Sequence, residues 1–351
     1  MVWTRFQKLA LVTFIAVEVL IFVGAVVRAT GSGLGCPDWP LCYGCWTPPT
    51  KAEDIDFSRL KIEKFREKAA RLGRDPKTIT QESLKAEFDP VATWVEYINR
   101  LTSLPVGLAV TALLVASFWQ IGAGRFTAFL GGLASFALVL VNAWLGARVV
   151  LSGLKPGIIT LHMALAILLQ CVLVYTAWRG TAQPWKLPVI APGARALHWI
   201  GLSLFALVVL EGVMGSQVRE MTDHLAMLHA GEKRELWVQE LDQTVVYLLH
   251  RSFSWLILGA AFLFSWKAGL VLGRTRWLEK GILALVCAQM VLGVVLSQVG
   301  IVRIAQILHI GLSSLLVSGL FLWLLGSYQG LKVARLGGPP PLGAPTPSVP
   351  V

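Results

Sequence analysis

Charge is what this chain has least of. Asp, Glu, Lys and Arg make up only 15% of its 351 residues, against 55% hydrophobic, and mean hydropathy is +0.66. A soluble domain of this length carries far more charge on its surface, so that class is excluded and a membrane protein implied. Acidic residues number 20 against 31 basic, a net charge of +11. That excess is largely an orientation signal, and nothing in it calls for nucleic acid. A small-x-small cleavage site is also lacking after the first apolar run, which is longer than a signal peptide's core. The run is therefore read as a retained helix.

What is present is a series of long apolar runs. Eight are long enough to span a bilayer, at roughly 8–28, 97–120, 124–151, 156–178, 195–218, 244–267, 277–300 and 303–328. The basic residues of the short connections (Arg5, Lys8, Arg125, Arg179, Lys186, Arg195, Lys267, Arg274, Arg276, Lys280, Lys332 and Arg335) fall on one side. The positive-inside rule makes that side the cytoplasm and places both termini there. The segment 46–93 is the one long polar insertion and reads as two short amphipathic helices broken near Gly73 to Pro76, on the external side. The Pro/Gly-rich tail 336–351 reads as a disordered cytoplasmic segment.

One pattern occurs twice. Tyr97-Ile98-Asn99-Arg100 is followed 63 positions after Asn99 by Leu161-His162-Met163, and Tyr247-Leu248-Leu249-His250-Arg251 is followed 59 positions after His250 by Leu308-His309-Ile310. The odd-numbered spans share glycines at Gly24, Gly146, Gly215 and Gly293. Leu20, Asn142, Glu211 and Gln289 stand four residues before them. A polar residue one turn from a glycine suits either close helix packing or a buried polar ligand. The expected fold is thus all-α, an integral membrane protein of eight transmembrane helices in two pseudo-symmetric four-helix bundles. Residues 1–180, with the long external loop 31–95, form the first and 181–335 the second.

Histidines inside apolar helices are costly and point to function. Two imidazoles on different helices can hold an iron porphyrin from both faces, which makes His250 and His309 the strongest pair. His309 sits roughly 10 Å deep at 1.5 Å per residue. In the first half His162 has Asn99 opposite it, and an amide is a poor iron ligand. That half therefore either leaves a coordination position open for chemistry or has decayed. Arg100 and Arg251 suit porphyrin propionates, with interfacial snorkelling as the alternative. Glu96, preceding Tyr97 where the second half has Val246, can relay protons or stabilise developing positive charge; an exposed interfacial Glu is the competing reading. Cys36 and Cys42 read as a disulfide on the oxidising side, metal binding being the weaker reading, and Cys45 is an odd third thiol that could compete. Cys171 and Cys287 read as packing residues, and His224 and His229 as solvated loop residues.

The run Gly31-Ser32-Gly33-Leu34-Gly35-Cys36-Pro37-Asp38-Trp39-Pro40-Leu41-Cys42, joined to Glu96-Tyr97 and the repeated helices, resembles the haem A synthase family over residues 10–330. The resemblance implies haem b as cofactor on His250 and His309, and haem O as substrate in the N-terminal half at His162. It implies Glu96 as the family's essential glutamate and Cys36–Cys42 as its first external cysteine pair. The family's other N-terminal histidine falls at Asn99, so His/His ligation there does not carry over. A second cysteine pair seen in some members is absent, since 219–243 contains no Cys. The implied reaction oxidises the C8 methyl of haem O to a formyl group in a bacterial plasma membrane. A haem O synthase would supply the substrate, cytochrome oxidase assembly would receive the product, and a homo-oligomer is compatible with this. A non-catalytic haem carrier or assembly factor and a quinone-linked haem b electron-transfer protein are the rivals.

Overall fold

The computed structural model describes residues 3–36, 38–71, 75–155, 157–188, 192–229, 234–273, 275–300 and 302–335. The tail 336–351 and the expected break at 72–74 lie outside them. The helices are α1 (Arg5–Thr30), α2 (Ile62–Arg71), α3 (Gln81–Ala86), α4 (Pro90–Gly122), α5 (Phe126–Leu151), α6 (Ile158–Arg179), α7 (Ala194–Leu228), α8 (Arg234–Asp242), α9 (Val245–Leu272), α10 (Trp277–Val294) and α11 (Arg303–Arg335). Among the described residues all but α2, α3 and α8 are long and apolar enough to cross a membrane, which gives the eight expected spans. Among the described residues there is no strand, only an isolated bridge between Cys42 and Cys45.

Several spans outrun their apolar stretches. α4 starts at Pro90, seven residues before the apolar run, because Asp89 accepts from the amides of Val91 and Ala92 and proline suits the first helical position. α7 continues ten residues past Val218 to Leu228, through Arg219, Glu220 and Asp223. Hydropathy marks where lipid ends, and a helix stops only at a breaker or a cap. His224 and His229 consequently belong to the end of α7 and not to a loop. His224 is exposed as expected, whereas His229 pairs with Glu240 at 3.0 Å and stacks on the Trp237 ring. α10 ends in a π-helical turn, Val295–Val299.

The spans pack in sequence order into rings. α1 touches α4, α4 touches α5, α5 touches α6 and α6 returns to α1; α7, α9, α10 and α11 have the same neighbour relations. The rings meet where α11 packs on α1 and α6, and α7 on α6. At that seam Glu18 of α1 accepts from Ser314 of α11 at 2.7 and 2.8 Å and from the amide of Gln170 of α6. The phenyl ring of Phe22 fills the space a side chain at Gly311 would need. Outward faces carry Leu108, Trp119, Trp144 and Trp266, all more than 60% exposed. A contiguous apolar surface of that kind belongs in lipid.

The polar insertion folds on itself. Ile55, Leu60, Ala69, Ile79 and Leu84 are buried against Phe57, Phe65 and Phe88, and α3 is opened by a Thr80–Ser83 capping box.

Candidate functional site

Each of the four shared glycines faces the polar residue of the next span in its ring. A methyl group built on Gly24 would lie 4.0 Å from Oδ1 of Asn99. On Gly146 it would lie 3.6 Å from Cε1 of His162, on Gly215 3.2 Å from Cε1 of His250, and on Gly293 3.8 Å from Cε1 of His309. The glycines let the spans approach, and what they make room for is an imidazole, or at Asn99 an amide.

The residues one turn before the glycines meet the same imidazoles. His162 lies beside the backbone of Asn142 and His309 beside the backbone of Gln289. The Gln289 amide also donates to the carbonyl of His309 at 3.0 Å. His250 meets a side chain: its Nδ1 is 3.1 Å from Oε1 of Glu211. Leu20 holds this register position in α1 and offers no polar group. Nδ1 of all three histidines is buried without a formed hydrogen bond. A buried orphan nitrogen is costly unless something fixes the ring. An imidazole that holds iron through Nε2 carries its proton on Nδ1, next to a carbonyl or carboxylate. The donors present fit that arrangement. His250 and His309, from α9 and α11, are also electrostatic neighbours.

Glu96 and Asn99 lie three apart on α4 and so share a face. Glu96 is 4% exposed, which removes the reading of it as an interfacial carboxylate. Arg100 Nε donates to its Oε1 at 3.2 Å. The rest of the Arg100 fork binds the loop after α1: Nη1 donates to the carbonyls of Asp38 and Leu41 at 3.0 and 2.9 Å, and Nη2 to that of Cys36 at 2.8 Å. The sequence reading sets Arg100 beside a propionate or snorkelling to the interface. The structure gives its guanidinium a different set of partners, as a staple between loop and helix. Arg251 is exposed and sits 5.9 Å over the Tyr247 ring, its fork open to a carboxylate. Matching the spans on the residue that faces the glycine sets Asn99 against His250 and hence Glu96 against Tyr247, not Val246. By either match the second half has no carboxylate there.

Cys36 and Cys42 form a disulfide with Cα atoms 4.8 Å apart, and Cys45 keeps a free thiol while its backbone pairs with Cys42. Thr93 of α4 donates to the carbonyl of Gly35 at 2.9 Å, and Asp38 accepts from the amides of Tyr43 and Gly44 at 2.7 and 2.8 Å. Gly35 has no room for a side chain, since a methyl there would sit 2.2 Å from the Ala92 carbonyl oxygen. Burial and the nearby Asp38 and Glu87 charges push the Tyr43 hydroxyl up to about 12, so it stays neutral inside this packed loop. The loop is thereby pinned over the α4 end of the first ring, beside Glu96. Cys171 and Cys287 are free thiols in α6 and α10, and Cys171 joins the hydrophobic core.

Two contacts were not legible in the sequence as pairs: Glu211 with His250, and Arg100 with the loop carbonyls. The register of Glu211 one turn before Gly215 was the available signal for the first; the second involves backbone acceptors and had none.

Residues 7–321 match the sequence profile of the family COX15-CtaA, described as cytochrome oxidase assembly protein. The chain is 27% identical over 272 residues to a protein of Bacillus licheniformis named heme A synthase, covering 72% of this chain and 74% of that protein. Proteins of the same name from Bacillus mycoides and Bacillus cereus are each 26% identical, over 59% and 63% of this chain. The chain spans 55% and 60% of the lengths of those two.

Proposed function

The chain belongs to the COX15-CtaA family of cytochrome oxidase assembly proteins, and from that premise we propose that it is a haem A synthase. It takes haem O in the first ring and oxidises the C8 methyl to a formyl group, with haem b held in the second ring by His250 and His309. The observation that carries this reading is the fourfold glycine register, in which three of four positions present a half-buried imidazole whose Nδ1 is buried and the fourth presents Asn99. His250 and His309 would hold haem b, which when bound would supply one-electron transfer.

This chain's own residues divide the remaining work. His162 orients the substrate porphyrin from α6, and Asn99 can hydrogen-bond a water or hydroxyl on the opposite side. Glu96, buried one turn from Asn99, is placed to take up protons that leave the methyl carbon as it is oxidised. Arg100 holds the Glu96 carboxylate and the disulfide loop together, which keeps bulk water away from that carboxylate. Arg251 suits a haem b propionate. The apolar outer faces suit a prenyl tail lying among lipids. The Lys/Arg distribution supports cytoplasmic termini in a bacterial plasma membrane, and a haem O synthase is the natural supplier.

The test is expression in a host that makes haem O but no haem A, followed by pigment extraction. Appearance of the formyl haem is the expected result. A second reading, a haem carrier in oxidase assembly, is favoured by Asn99 alone; haem b bound without any formyl haem would select it.

A further inference from the structure

The four register positions differ in the group they offer to the ring that follows. Leu20 offers none. Asn142 and Gln289 bring their backbone beside His162 and His309. Only Glu211 brings a charged group, with Oε1 at 3.1 Å from Nδ1 of His250 and both side chains largely buried, 15% and 20% exposed. The same Oε1 lies 2.5 Å from the hydroxyl of Ser254, one turn below His250, which is also 2.8 Å from the His250 carbonyl. The other oxygen, Oε2, is buried with no hydrogen bond. The carboxylate therefore has few competitors for the imidazole proton.

We infer that Glu211 is a positioning residue for the haem b ligand His250: it accepts the Nδ1 proton, fixes Nε2 as the iron-binding nitrogen, and makes this imidazole the more electron-rich of the two axial ligands. The inference rests on the proposed haem b site. A charge-assisted bond draws the Nδ1 proton further than a carbonyl does. A ligand made richer in electrons stabilises ferric over ferrous iron, which lowers the reduction potential. Ser254 tempers this, because its hydroxyl competes for the same oxygen.

Potentiometric titration of the haem b band in purified, haem-loaded protein tests this with substitutions of opposite sign at Glu211 and Ser254. Glu211→Gln removes the charge and should raise the midpoint by about 59 mV or more, a tenfold change for one electron. Glu211→Asp should return part of the way. Ser254→Ala removes the competitor and should lower the midpoint. An unchanged midpoint in Glu211→Gln overturns the inference. If that variant loses its haem, an unchanged or raised midpoint in Ser254→Ala does so. A residue acting only in packing would not give shifts of opposite direction. Failure of the haem b site itself reads out separately, as a low-spin signal that survives His250→Ala.

Discussion

At the position facing the leading glycine, α4 carries Asn99 and α9 carries His250; one turn earlier, α4 carries the buried Glu96 and α9 carries Tyr247. Against the start of α4 lies a disulfide loop tied down by Arg100, while Arg251 within α9 is exposed and lies 5.9 Å over the Tyr247 ring. The partner histidines, His162 and His309, are alike in packing, each against a glycine and each beside the backbone of the residue one turn before that glycine. The two rings thus share a glycine frame and differ in what surrounds it. The second presents two histidines with Glu211 beside one of them, whereas the first presents one histidine and Asn99, with the buried Glu96 carboxylate tied by Arg100 to the disulfide loop. That difference is what a substrate site and an electron-transfer site would need.

The comparison can be broken most decisively at Glu96. Glu96→Ala should abolish haem A formation while leaving the haem b spectrum intact, measured by pigment extraction beside optical spectra. Glu96→Gln, which keeps an oxygen for Arg100, should be equally inactive if the proton-accepting role is the essential one, and recovered activity would reduce Glu96 to an anchor. Arg100→Met comes next. Its side chain is 14% exposed and that of Glu96 5%, so breaking the pair should cost about 3–5 kcal/mol. Lost thermal stability and loosened loop protection from protease are the readouts, with haem b at the second ring unaffected. Smaller still is the paired test Gly215→Ala against Gly24→Ala. The first forces His250 to yield and should cost about 1–3 kcal/mol with reduced haem b occupancy. The second meets Asn99 only at 4.0 Å and should leave haem b unchanged. Equal effects would mean that the glycine contacts do not distinguish the rings. The mildest change is Asn99→His, which should permit six-coordinate iron in the first ring and slow release of product without creating an activity that was absent. Haem A synthesis gained from an inactive parent would instead mark the first ring as decayed and favour the carrier.

The spans were legible because apolar length is a direct physical requirement of the bilayer. The glycine and histidine repeat was legible because Gly146–His162 and Gly293–His309 recur at the same spacing of 16 residues. Helix ends were less so: the extension of α7 through Arg219 and Asp223 follows backbone hydrogen bonding, which hydropathy does not report. The partners of Arg100 were hidden for a related reason. Its partners are carbonyl oxygens of residues 36, 38 and 41, and a sequence carries no mark of which carbonyls a loop turns inward. Glu96 was assigned to chemistry by type and position, but its burial came from the loop folding over α4. The Glu18 cluster shows the same limit, since Gln170 reaches it when α6 closes back on α1 and Ser314 only when the two rings meet.

The central claim is that one half of the chain saturates a haem iron and the other does not. Electron paramagnetic resonance of purified protein, comparing His162→Ala with His309→Ala, tests it most directly. The account predicts a low-spin bis-imidazole signal that His309→Ala eliminates and His162→Ala leaves in place; its loss in His162→Ala, or its survival in His309→Ala, would contradict the account.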